Sequence, residues 1–186
     1  MNSMLKHLPN LLTALRIAAA PALAFLLVSG ADRAALGLFA FAGLSDAADG
    51  FLAKRFGFAT RFGRFLDPAA DKVLMFAAFV TLAVLNLAPV WLAVLVIARD
   101  AAIIGGILLA RAMEIPVRVA PLLIGKVCTA MQIIFIALAL VLLTLGLRWP
   151  GVETIAEDAT AILTAASWLA YAGVGVSALL RRRSPA

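Results

Sequence analysis

At 186 residues the chain has the length of one domain. Its 65% hydrophobic and 14% charged residues, with a mean hydropathy of +1.07, exclude an ordinary soluble globular protein. The net charge of +6 does not mark a nucleic-acid binder, because the basic residues fall at the two ends and in alternate loops rather than on one continuous patch. The lone cysteine, Cys128, excludes a disulfide framework and a cysteine metal site, and is expected to pack as a small apolar side chain.

In chain order, residues 1–8 suit a short interfacial helix, with His7 in a structural or interfacial place. Six apolar runs long enough to span a bilayer follow, at about 9–29, 34–54, 68–87, 90–110, 121–146 and 160–180. The expected fold is therefore all-α and integral to the membrane, with six transmembrane helices in a single domain over 1–186. Pro9-Asn10 opens the first span, with Pro at an early helical position, and Gly30-Ala-Asp32 closes it. That span is too long for a signal peptide and lacks a cleavage site, so it is expected to stay in the mature protein with no separate targeting segment before it. A basic, aromatic turn, Phe56 to Gly63, suits the headgroup layer. Asn86-Leu-Ala-Pro89 reads as a tight outer turn, and 115–121 as a connection carrying Arg118. Arg148-Trp149-Pro150-Gly151 ends the fifth span, and Glu153–Asp158 reads as an acidic external segment. Trp91, Trp149 and Trp168 read as belt or packing residues.

The charges have a sidedness. Lys6, Arg16, Lys54, Arg55, Arg61, Arg64, Arg111, Arg118, Lys126 and Arg181–Arg183 share one set of loops and ends, while Asp32, Arg33, Arg148, Glu153, Glu157 and Asp158 occupy the other. By the positive-inside bias, both termini and the Asp46–Asp71 segment are expected on the cytoplasmic side.

That segment carries the chemistry. It holds four of the ten acidic residues, and a carboxylate within the bilayer costs roughly 2.5–3.5 kcal/mol even on the mildest scale. Asp46 and Asp49 are three apart on the second span, and Asp67 and Asp71 four apart at the start of the third, so each pair shares a helix face. The short turn makes the two spans neighbours, and the four carboxylates are expected to converge at the cytoplasmic boundary. All-oxygen donors suit two hard divalent cations, Mg²⁺ or Mn²⁺, which together bridge phosphate oxygens in displacement reactions. Gly50 and Ala53 leave the helix surface bare for a diphosphate, and Gly63 supplies a permissive turn. The competing readings are helix packing for the small residues and a helix N-terminal cap for Asp67 and Asp71.

The pattern Asp46-x2-Asp49-Gly50-x2-Ala53-Lys54-x8-Gly63-x3-Asp67-x3-Asp71 resembles the signature of the CDP-alcohol phosphotransferases, membrane enzymes with six transmembrane helices. One position departs from it: the family usually has Arg where this chain has Lys54, followed by Arg55. Lys keeps the charge but not the bidentate fork. The resemblance implies that a CDP-linked lipid, CDP-diacylglycerol, donates its phosphatidyl group to an alcohol while CMP leaves. It implies metal ligation by Asp46, Asp49 and Asp67, with Asp71 as general base and a possible fourth ligand. CDP-lipid contacts would come from Asn10, Thr13, Arg16, Asp49, Gly50, Ala53, Lys54 and Gly63. It also implies a homodimer in a bacterial cytoplasmic membrane or an equivalent mitochondrial one. Spacing alone does not say which carboxylate stays free to take a proton.

Outside the motif, Asn10, Thr13 and Arg16 on one face of the first span resemble the glycerophospholipid branch of the family. So does Gly125-Lys126-Val-Cys-Thr129-Ala-Met-Gln132. Arg99-Asp100, an ion pair at membrane depth, with Arg111 and Pro116 beyond it, resembles the members of that branch that act on phosphatidylglycerol, and the resemblance implies that acceptor. Arg64-Phe-Leu-Asp67-Pro68 and Thr60-Arg61-Phe62-Gly63 resemble the members that act on glycerol 3-phosphate, which stands as the alternative. Arg99, Arg111, Arg118 and Lys126 are the acceptor-binding candidates, although a mutually neutralised Arg99-Asp100 pair that fixes helix packing accounts for Arg99 equally well. A divalent cation transporter is the remote alternative; it predicts acids at the bilayer midplane and inverted repeats, and no repeat is evident.

Overall fold

The computed structural model describes the backbone of residues 3–56, 63–113 and 122–183, and the side chains of 14–45, 72–110, 112–113 and 122–177. Among the described residues there are six helices and no strand: α1 (Ser3–Val28), α2 (Asp32–Phe56), α3 (Gly63–Val84), α4 (Val90–Ala112), α5 (Leu123–Leu145) and α6 (Pro150–Arg183). They divide into two compact units. The first comprises Met1–Leu87 with Ile136–Arg148, and the second comprises Ala88–Phe135 with Trp149–Ala186.

In the first unit α2 and α3 both pack on α1. The sequence dictates which faces meet. Arg16, Ala20, Leu23 and Leu27 recur at helical spacing along α1, as do Ala35, Phe39 and Ala42 on α2 and Leu74, Ala78 and Leu82 on α3, and all are buried. Alanines at the contacts let the backbones approach closely, the usual device where lipid tails offer no hydrophobic driving force between helices.

The second unit has a different interior. α4 buries Leu92, Ala93, Val96 and Arg99, and packs against α6. The first half of α5 buries Cys128 and Gln132, while α6 buries Ala156, Thr160, Thr164 and Ser167. Thr160 donates to the Ala156 carbonyl and Thr164 to the Thr160 carbonyl, both at 2.7 Å. These hydroxyls are satisfied within their own helix, so a polar stripe is buried without orphaned donors.

The outer surfaces are apolar. Phe25, Leu44, Val84, Leu123, Ile155, Ile162 and Leu169 are each more than two-thirds exposed, a distribution that a water-facing surface avoids and a lipid-facing one favours. Among the described residues, three segments are long and apolar enough to cross a membrane: Val90–Ala110, Leu123–Leu145 and Pro150–Ser177. Ala14–Val28 and Lys72–Val84 are shorter apolar helices.

Helices α1, α3 and α5 end in the same way. Gly30, Asn86 and Gly146 have φ of 73°, 57° and 64°, and in each case two amides beyond the helix return to its last turn. Ala31 N–H reaches the Leu26 carbonyl at 2.9 Å, Leu87 reaches Leu82 at 2.8 Å and Leu147 reaches Leu142 at 2.9 Å. This is the Schellman closure, and it satisfies carbonyls that apolar surroundings would leave unpaired. A Cβ at Gly146 would meet nothing within 4 Å, so only the left-handed backbone opposes substitution. Gly146→Ala is expected to destabilise the protein by about 1–2 kcal/mol. Gly37→Ala, at an equally open but helical position, is expected to stabilise it by about 0.5–1 kcal/mol. Thermal unfolding in detergent checks both signs.

Three expected boundaries are corrected. Helix α1 runs unbroken from Ser3 through Pro9 rather than as a separate interfacial helix followed by a span. Pro9 lies close to the helix start, where it removes only one interior bond, to Leu5. Helix α3 begins at Gly63 and has no acid in its first turn, so Asp67 and Asp71 lie beyond the cap position. Glu153–Asp158 is not a loop but the opening of α6, which starts at Pro150. The Glu153 carboxylate accepts the Trp149 N–H at 2.8 Å, and acids are favoured at that end of the helix dipole.

Candidate active site

The site builds up from α1. Arg16 lies on the buried face of that helix at 3% exposure, in line with Ala20, Leu23 and Leu27. An arginine within an apolar helix is thus turned into the protein rather than outward. Asn10 and Thr13 lie on the same helix, but their side chains fall outside the described residues.

The motif is distributed over the two helices that pack on α1. Asp46, Asp49, Gly50, Ala53 and Lys54 occupy the last part of α2, and Gly63, Asp67 and Asp71 the first part of α3. Helical rise separates Asp46 from Asp49 by about 4.5 Å and Asp67 from Asp71 by about 6 Å along their axes. The side chains of all eight residues lie outside the described set. Ser45, next to Asp46, donates its hydroxyl to the Phe41 carbonyl at 2.7 Å. Among the described residues, no group of three His, Cys, Asp or Glu forms a metal site. The donor chemistry of the motif fits a hard cation, since four carboxylates supply only oxygen.

The acceptor candidates belong to the second unit. Arg111 is in α4 with its side chain outside the described residues, and Arg118 lies outside them altogether. Lys126 is exposed near the start of α5. Arg99 is enclosed, at 4% exposure. Its Nη1 pairs with Asp100 Oδ1 at 2.6 Å, and its Nε and Nη2 donate to Ser167 Oγ at 3.2 and 2.5 Å. Its guanidinium carbon lies 5.7 Å from the centroid of the Tyr171 ring, within cation–π range. The expected ion pair is present within α4, and the bonds from Arg99 to Ser167 tie that helix to α6.

Sequence reasoning passed over Ser167, Tyr171 and the α6 stripe. A signal was available, since Thr160, Thr164, Ser167 and Tyr171 recur at helical spacing in an otherwise apolar run. Cys128 is fully buried as expected, but it lies among polar groups. Gln132 Nε2 is 3.4 Å from its sulfur and 3.4 Å from Thr164 Oγ1.

The chain belongs to the CDP-alcohol phosphatidyltransferase family, whose model matches residues 6–177. It is 36% identical over 149 residues to the cardiolipin synthase (CMP-forming) of Rattus norvegicus, covering 72% of this chain and 49% of the rat protein. Identity to the Homo sapiens cardiolipin synthase (CMP-forming) is also 36% over 149 residues, covering 72% and 50%. Identity to the CDP-diacylglycerol–glycerol-3-phosphate 3-phosphatidyltransferase of Bacillus subtilis is 35% over 147 residues, covering 70% and 75%. The chain spans about half the length of the two mammalian relatives.

Proposed function

We propose that this protein transfers the phosphatidyl group of CDP-diacylglycerol to a glycerol-type acceptor, with release of CMP. The observation that carries this reading is the complete run of four aspartates at family spacing, divided between two helices that both pack on α1. In this reading all six helices cross the membrane. Both ends of the chain face the cytoplasm, and the site lies at that boundary of a bacterial cytoplasmic membrane or its mitochondrial counterpart. A homodimer is the expected assembly.

Asp46, Asp49 and Asp67, with Asp71 as a further ligand, would hold two divalent cations, Mg²⁺ or Mn²⁺. When bound, these supply positive charge against the diphosphate and the departing CMP. The protein's own groups do the rest. Gly50 and Ala53 admit the diphosphate to the α2 backbone, while Lys54 places a point charge on it. Asn10, Thr13 and Arg16 orient the CDP-lipid. Asp71 takes the proton from the acceptor hydroxyl as its oxygen attacks phosphorus. Arg99, Arg111, Arg118 and Lys126 are the groups assigned to the acceptor's phosphate.

Phosphatidylglycerol is the favoured acceptor, which makes the activity that of a cardiolipin synthase. The Arg99-Asp100 pair and the identity to the mammalian cardiolipin synthases support it. Glycerol 3-phosphate is the second reading, supported by near-equal identity to the Bacillus subtilis enzyme, three-quarters of which this chain covers. Purified protein given CDP-diacylglycerol, Mg²⁺ and each acceptor in turn decides between them. CMP release with phosphatidylglycerol alone is the expected result. Release only with glycerol 3-phosphate transfers the assignment to the second reading, and no release with either overturns the enzyme class.

A further inference from the structure

The first turn of α5 is held from another helix. Leu122, just before α5, donates its backbone N–H to the Tyr171 hydroxyl of α6 at 3.3 Å, so an amide that the helix cannot pair internally is capped by a side chain of α6. Gly125 is buried one turn on. A Cβ there would stand 2.8 Å from Tyr171 Oη, 3.1 Å from Tyr171 Cε2 and 3.4 Å from Arg99 Nη2. No side chain fits in that space without moving the tyrosine. Tyr171 is itself constrained, because the Arg99 guanidinium stands over its ring and is fixed by Ser167 and Asp100. Arg99, Ser167, Tyr171 and Gly125 therefore form one lock through three helices of the same unit. Lys126, the residue after Gly125, is exposed.

We infer that Tyr171 is a positioning residue for the acceptor: backed by Arg99, it fixes the amino-terminal turn of α5 and with it the direction in which Lys126 is presented. The role of Lys126 rests on the reading proposed above; the lock itself does not. A long lysine side chain binds phosphate as a point charge on a flexible stem, so the placement of its backbone decides how often the ammonium is within reach.

Tyr171→Phe removes the hydroxyl and keeps the ring over which Arg99 stands. The expected result is a rise of about five- to tenfold in KM for the acceptor, with kcat and the KM for CDP-diacylglycerol held within about twofold. Hydrogen exchange in the peptide spanning residues 122–126 is expected to quicken alongside. Gly125→Ala should act in the same direction and more strongly, since its Cβ displaces the hydroxyl. Unchanged exchange in Tyr171→Phe overturns the lock. Faster exchange with an unchanged acceptor KM overturns the positioning role, as does a parallel loss of kcat and of affinity for both substrates together with a lower Tm. If the wild-type protein releases no CMP with either phosphatidylglycerol or glycerol 3-phosphate, the proposed function fails. The exchange measurement then still decides whether Tyr171 holds the turn.

Discussion

Asp71→Asn is expected to lower the rate of CMP release by about 10²–10⁴-fold, the contribution of a positioned general base, while the protein stays folded and still binds CDP-diacylglycerol. Asparagine keeps the size and an oxygen but accepts no proton at neutral pH. The defect should therefore appear in kcat and resist added Mg²⁺. Asp46→Asn and Asp49→Asn are expected to differ in kind, because each removes a carboxylate assigned to cation binding alone, whereas the loss of Asp71 as base persists even when the cations are saturating. Their loss should shrink as Mg²⁺ is raised, provided the remaining carboxylates still gather the ion. A titration of initial rate against Mg²⁺ for the three variants separates the roles. Retention by Asp71→Asn of more than a tenth of wild-type kcat would mean that another group takes the proton.

The second large effect concerns stability. Arg99→Leu is expected to destabilise the protein by about 3 kcal/mol, near the low end for breaking a buried ion pair. The Asp100 side chain is 15% exposed and would lose its 2.6 Å partner, and the Ser167 hydroxyl would lose the donor it accepts from. For a chain of this length that corresponds to a fall in Tm of roughly 6–12 °C. Replacing both charges, as Arg99→Leu with Asp100→Leu, should recover much of the loss, since a buried pair and a well-packed apolar pair are often of similar stability. Thermal unfolding of the single and double variants in one detergent measures this. A single variant as stable as wild type would show that Arg99, through Asp100 and Ser167, contributes little to the stability of α4 on α6. The prediction also separates Arg99 from Lys126, which is exposed and should cost little stability when replaced.

The sequence by itself determined the helical class, the turns at Gly30 and Asn86 and the chemical character of the motif. Apolar runs at bilayer length, glycine or asparagine at positions demanding positive φ, and carboxylates at three- and four-residue spacing are local properties, and local properties can be read along a chain. The break expected at Pro9 and the loop expected over Glu153–Asp158 are both absent, for a related reason. Neither polarity nor proline by itself ends a helix: acids in a first turn are stabilised by the helix dipole, and a proline near a helix start removes little. Only the tertiary structure decided what depends on two helices at once. It turned Arg16 into the first unit. It set Ser167 against Arg99, and it left room beside Tyr171 for no residue larger than Gly125. Hydropathy cannot foresee such pairings, because a buried hydroxyl or guanidinium is tolerated only where a partner from a distant part of the chain meets it within hydrogen-bonding distance.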